Sequence, residues 1–218
     1  MKKKRAFSLT ELLVVIAIIA VMLAILIPSL SKARLQAKVL IVNAELADIG
    51  LALEAYATDN HNNFPPTRID CNPEARKHAW ALPQELVKNG YMPGAKAGSI
   101  TYSKMEDKFN SGLAYKYMAV GKRYDYSGTP MSSLSLKIPD GFPDIEGQKY
   151  TSYKDPKISP VTWIVFSVGP KYDEQNEIKS GFPVDKKFWY SPKTHKGIIT
   201  RVRLLKQMDH IGTFQKSK

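Results

Sequence analysis

Apolar side chains run unbroken from Leu12 to Pro28. As a helix this run is about 26 Å long, close to the roughly 30 Å hydrocarbon core of a bilayer. Phe7 and Leu9 in front and Leu30 behind make it long enough to span. Lys2, Lys3, Lys4 and Arg5 precede it and predict a cytoplasmic N-terminus, with everything after Ser31 on the far side. Such a segment outlasts the roughly 7–15-residue core of an ordinary secretory signal.

Beyond Pro28 the pattern becomes one-sided. Leu35, Val39, Val42, Leu46, Ile49, Leu53 and Tyr56 recur at alternating spacings of four and three. That spacing places them on one face of a continuing helix. Such a stripe must be buried, either on the chain's own globular domain, the favoured reading, or in a coiled-coil seam with another protein. Asp59-Asn60-His61-Asn62-Asn63 supplies turn formers, and Pro65-Pro66 forbids resumption. The pattern therefore predicts one helix from Phe7 to Thr58, bent at Pro28.

The remainder predicts fewer regular elements. Residues 59–78 read as an irregular link. A short helix is expected over Glu74–Lys88, interrupted at Pro83 and stopped by Asn89-Gly90. Residues 94–112 read as loop, and 127–160, rich in Gly, Ser and Pro, as a long insertion. Leu113–Val120 alternates in the manner of a strand. Val161–Val168 is β-branched and aromatic, the strongest strand signal, and Gly169-Pro170 ends it. Ile198–Leu205 is another strand, with Arg201 and Arg203 directed away from Val202 and Leu204. Phe188-Trp189-Tyr190 begins a hairpin with it. The order of a long helix, a loop and a small antiparallel sheet gives the α+β class.

Glu11 does not fit a plain anchor. A carboxylate within a bilayer helix costs about 2.5–3.5 kcal/mol near the centre and less near the interface. It needs a partner or a proton, and cutting the chain after Ala6 would create an amine at Phe7. The stretch Ala6-Phe7-Ser8-Leu9-Thr10-Glu11-Leu12-Leu13-Val14-Val15 closely resembles the class III signal of type IV prepilins and type II secretion pseudopilins. The resemblance implies prepilin peptidase cleavage between Ala6 and Phe7 and N-methylation of Phe7. It also implies that Glu11 faces the N-terminus of a neighbouring subunit and that the helix kinks at Pro28. The family usually has Gly before the cut, where this chain has the small Ala6. The domains that follow from it are a leader over 1–6, a helix over 7–58 whose membrane and assembly half is 7–30, and an extracytoplasmic pilin-like α+β domain over 59–218.

A second resemblance lies after the strongest strand. Phe166-Ser167-Val168-Gly169-Pro170 with Tyr172-Asp173-Glu174 is similar to the Ser-Leu-Gly-x-Asp-Gly stretch of major pseudopilins, which bind calcium in this loop. It implies Asp173, Glu174, Asn176 and Glu177 as hard oxygen ligands for Ca2+. Lys171 intrudes, and four such side chains are more often simply solvated. No other cofactor is expected.

Charge and composition refine this. Net charge is +12, and losing the leader's four cations leaves +8. A mean hydropathy of −0.27 confines membrane character to the first segment. The single cysteine, Cys71, allows no intrachain disulfide, which places the chain with major pseudopilins rather than with disulfide-closed type IVa pilins. No Gly-x-Ser-x-Gly, Walker loop or Cys-x-x-Cys is present, and His61, His78, His195 and His210 have no helical pairing. The chain reads as a non-enzyme. Gly181–Lys218 carries nine Lys or Arg against two Asp, with Phe188, Trp189 and Tyr190 interleaved. That composition suits single-stranded nucleic acid, although a solvated sheet face explains it better and a nucleic-acid partner is disfavoured.

The resemblance thus implies a structural subunit of a type II secretion-like pseudopilus. Its partners would be further copies and other pseudopilins, prepilin peptidase, an inner-membrane assembly platform and the membrane. It would be single-pass in a bacterial inner membrane, with a periplasmic domain. The alternative is a type IV pilus subunit with an adhesive or DNA-binding role.

Overall fold

The computed structural model of the chain describes residues 8–69, 80–94, 104–125, 127–144, 149–170, 183–205 and 210–213. The chain divides into two compact units, Met1–Leu40 and Ile41–Lys218. One helix, α1 (Leu9–Asp59), starts in the first and ends in the second.

In the first unit α1 continues through Pro28. Proline offers no N–H to the carbonyl four residues earlier. Nearby hydroxyls stay within the helix: Ser29 Oγ donates to the Leu26 carbonyl at 2.8 Å and Ser31 Oγ to the Ile27 carbonyl at 3.0 Å. Serine can therefore sit beside an apolar run without a bare hydroxyl.

The second unit is built on a four-stranded sheet in the order β2-β7-β8-β9. These strands are β2 (Lys116–Ala119), β7 (Val161–Ser167), β8 (Ile199–Leu204) and β9 (His210–Gly212). All its pairings are antiparallel, with Ile164 opposite Val202 and Trp163 opposite Arg203. Val42, Leu46, Ile49 and Leu53 on α1 are buried as the stripe requires. Successive strand residues point to opposite faces, so Trp163, Arg201 and Arg203 share one. Arg203 Nε meets Glu54 of α1 at 2.7 Å, and its guanidinium lies 4.8 Å from the centroid of Phe64. Gly50 lets α1 come close on this side. A Cβ there would lie 2.8 Å from Arg201 Nε and 3.3 Å from Trp163.

The opposite face carries Ile164, Phe166, Val202 and Leu204, packed with Met118, Leu134, Leu136, Ile138 and Phe142. The two faces together explain β2 and β7. Every residue of both strands is buried, so β2 does not expose alternate side chains as its sequence suggested.

Residues 127–160, expected as a long insertion, hold three strands. They are β4 (Pro130–Leu134), β5 (Leu136–Pro139) and β6 (Tyr150–Tyr153). β5 and β6 form a two-stranded antiparallel sheet. A third sheet has the order β1-β3-β4, formed with β1 (Thr67–Ile69) and β3 (Gly121–Asp125), and β1 and β3 run parallel. β1 lies in the stretch expected to be irregular. Thr67 anchors it, its Oγ1 accepting the Ala119 N–H at 2.8 Å and donating to the Ala119 carbonyl at 3.1 Å. Of the helix expected over Glu74–Lys88, the part after Pro83 is observed as α2 (Gln84–Lys88), and residues 74–79 lie outside the described residues. Trp80 there has a positive φ of 64°, and Ala81 forms a bridge to Lys116. Near Phe188-Trp189-Tyr190, a 3-10 turn over Lys186–Phe188 leads into a parallel bridge between Trp189 and Ile198.

Two polar contacts tie this unit together, one half-buried and one buried. Glu45 of α1 accepts a hydrogen bond from the Tyr115 hydroxyl and meets Lys108 Nζ at 2.8 Å. Burial and Glu45 hold the Tyr115 phenol well above its usual range, so it remains a donor. Tyr115→Phe is expected to cost about 1.5 kcal/mol, the low end for a hydrogen bond to a charged group, because Lys108 still serves Glu45. Thermal unfolding of the full chain in detergent would read this as a Tm drop of roughly 3–6 °C; an unchanged Tm would remove the bond from the account.

The second contact is Asp107, 1% exposed. Its Oδ1 accepts from Ser167 Oγ at 2.7 Å and from the Phe109 N–H at 2.9 Å, and its Oδ2 from the Val168 N–H at 2.9 Å. Ser167 Oγ in turn accepts from the Gly169 N–H at 3.0 Å. One carboxylate therefore fixes the end of β7. Burial raises its pKa above the usual carboxylate range, against the opposing pull of those donors and of Lys116.

Candidate functional site

The start of α1 is the part of the chain with chemistry left over after folding. Every large apolar side chain from Leu9 to Leu30 is at least 44% exposed. Burying each such side chain is worth about 1.5–3 kcal/mol, so fifteen of them in water would cost tens of kcal/mol. α1 is long and apolar enough to cross a membrane. Leu13, Val14, Ala17, Ile18, Val21 and Met22 line an open apolar groove along it. The small Ala17 makes the notch between its larger neighbours.

At the N-terminal end sits a reciprocal cap. The Leu12 N–H donates to the Ser8 carbonyl at 3.2 Å, so Ser8 is the capping residue. The Glu11 N–H donates to Ser8 Oγ at 3.2 Å, and the Ser8 N–H donates to Glu11 Oε2 at 2.9 Å. Ser8 Oγ also lies 2.8 Å from Thr10 Oγ1. This is the arrangement encoded by Ser-x-x-Glu ahead of an apolar run. It satisfies two of the donors that a helix start leaves bare, and a carboxylate in the first turn suits the positive end of the helix dipole.

The sequence expects Glu11 to need a partner or a proton, and the start of its own helix supplies one hydrogen bond, from the Ser8 N–H. Its other oxygen, Oε1, has no hydrogen bond to a described residue. Ser8-Leu9-Thr10-Glu11 carries the local signal for this cap.

The other expected site residues divide sharply. Pro28 lies inside α1. Ala6 and Phe7 lie outside the described residues, as do the proposed calcium ligands Asp173, Glu174, Asn176 and Glu177, together with Cys71 and His78. Among the described residues no three His, Cys, Asp or Glu are grouped to hold a metal. His195 faces Tyr190 at 3.3 Å, and His61 closes the helix in a left-handed turn with φ 55°. Asp107 had no signal in the sequence.

The prokaryotic N-terminal methylation motif matches residues 1–27. The chain is 45% identical over 62 residues to the type IV wide pilus major component PilA4 of Thermus thermophilus. The N-terminal segment is type IV prepilin-like. The shared stretch is 28% of this chain and 47% of that protein, so the chain spans about half the length of the curated relative it matches. No solved structure matches. The prepilin-like segment is the part with the exposed apolar helix and the Ser8–Glu11 cap. It is followed by a β-rich region, and the chain as a whole is of the α+β class.

Proposed function

We propose that this chain is a structural fibre subunit. It is cut between Ala6 and Phe7, methylated at Phe7 and assembled through the first half of α1, with a bend at Pro28. The observation that carries the reading is one capped helix whose apolar side chains are exposed directly after a prepilin-type methylation motif. Before assembly the bilayer covers those side chains; in a fibre other copies cover them, with larger side chains seated in the notch at Ala17. Glu11 Oε1 is then available to the Phe7 amine of a neighbour. The pair offsets the desolvation of both charges. The chain supplies position and packing, and catalyses nothing.

Two fibres fit this mechanism. The single Cys71 favours a type II secretion-like pseudopilus in the inner membrane, built with other pseudopilins on an assembly platform. The wide-pilus relative favours a type IV pilus. Deleting the chain separates them: loss of secreted proteins marks the first, loss of surface filaments the second. The shared reading is tested by mass spectrometry of the mature protein. N-methyl-Phe7 is expected at its start, and an N-terminus at Arg34 would mean an ordinary secretory signal and end the proposal.

A further inference from the structure

Behind the apolar run comes a second cluster of cations that the assembly reading does not use. Lys32, Arg34 and Lys38 are all exposed on α1, and residues 12–44 contain no Asp or Glu. Their position is metric. Glu11 to Lys32 is 21 residues, about 31 Å of helix, the thickness of a hydrocarbon core of roughly 30 Å. Lys32 to Lys38 covers about 9 Å more, close to the depth of one headgroup layer. Arg34 and Lys38 are four residues apart and share a side of the helix, and Lys32 points elsewhere around it. The polar groups between the run and the cations are already satisfied, since Ser29 and Ser31 donate back into the helix. The long stems of Lys and Arg can lie along the apolar boundary and lift their charges to the phosphates.

We infer that Lys32, Arg34 and Lys38 form a collar that binds anionic lipid headgroups on the far side of the membrane, and that this contact holds the processed subunit in the bilayer before assembly. The inference rests on the membrane-held pool proposed above. Cleavage gives it weight. Lys2–Arg5 leave with the leader, so the cations that remain beside the apolar run are those of the collar and the new amine. Each cation near an anionic leaflet favours binding about fivefold, so three give a factor on the order of a hundred.

The test uses the mature full-length chain in phosphatidylcholine vesicles that carry a trace of spin-labelled phosphatidylglycerol or spin-labelled phosphatidylcholine. The association of each label with the embedded chain is measured. Labelled phosphatidylglycerol is expected to associate about tenfold or more strongly at low salt, and about 0.5 M salt should remove most of the preference. The triple variant Lys32→Gln, Arg34→Gln, Lys38→Gln should bind both labels equally. A control that removes equal charge from exposed positions elsewhere, Lys154→Gln, Lys157→Gln, Lys193→Gln, should keep the lipid preference. Loss of the preference in that control instead, or its persistence in the collar variant, overturns the inference. So does an unmodified chain that stays in vesicles but ignores lipid charge, and a collar variant that then fails to form fibres would point to acidic side chains of a neighbouring subunit. A chain that does not stay even in phosphatidylcholine refutes the membrane-held pool and the collar together.

Discussion

Glu11→Gln is expected to give a chain that inserts, is cleaved and starts its helix normally, yet forms no fibres. Glutamine can take over the cap, since its amide oxygen still accepts from the Ser8 N–H. What it lacks is charge. With a neutral side chain at this point the Phe7 amine of a neighbour enters the fibre without a counter-ion, at a loss of about 3–5 kcal/mol for a buried pair broken on one side. That is a factor of hundreds to thousands in subunit association. Glu11→Ala should fail at least as badly, because it also bares the Ser8 N–H. The two variants separate the roles when fibre yield and mature N-terminus are measured together. Fibres from the Gln protein but none from the Ala protein would assign assembly to the cap. Normal fibres from both would leave the carboxylate out of the contact altogether.

Asp107→Ala is expected to be the most damaging single change in the second unit. It strands the Ser167 hydroxyl and the Phe109 and Val168 N–H groups inside the protein. Each buried donor left bare costs about 1–3 kcal/mol; with some rearrangement of Ser167 the sum is about 4 kcal/mol, or a Tm lowered by roughly 8–16 °C for a unit of this size. Asp107→Asn should cost less, since an oxygen can still face Ser167 and Phe109. The pair also carries a pH signature. Burial raises the folded pKa of Asp107 above its unfolded value, so the folded state holds this proton more tightly. The resulting stability is fully present below the unfolded pKa of about 3.9, and it is lost as pH rises through the higher folded value. The Tm advantage of the native chain over Asp107→Asn should therefore shrink on going from pH 4 upward. An advantage that grew instead would mean that the donors outweigh burial and that the folded pKa is lowered.

The long helix and the central strands were legible because they follow one rule over many residues. Val42, Leu46, Ile49 and Leu53 repeat at the helical period, and Val161–Ser167 is β-branched and aromatic almost throughout. The strands in 127–160 escaped because turn-forming residues dominate that stretch. Yet Leu134, Leu136 and Ile138 are buried in alternation with Ser135 and Lys137, and a period of two was there to be read. β1 is three residues long and is held by Thr67 and a strand more than fifty residues later, a contact no local pattern announces. The same holds for Asp107, whose partners lie about sixty residues away. At the helix start the local rule was available, and a second role for the same carboxylate obscured it.

The two halves of α1 owe their shape to different surroundings. From Ile41 on, the apolar stripe is covered within the chain's own second unit. From Leu9 to Leu30 the large apolar side chains stay exposed among the described residues, and the proposed cover is lipid first and other copies later. Under the assembly proposed above, the stem waits in one solvent and finishes in another. Growth of the fibre is then a change of solvent for roughly twenty residues.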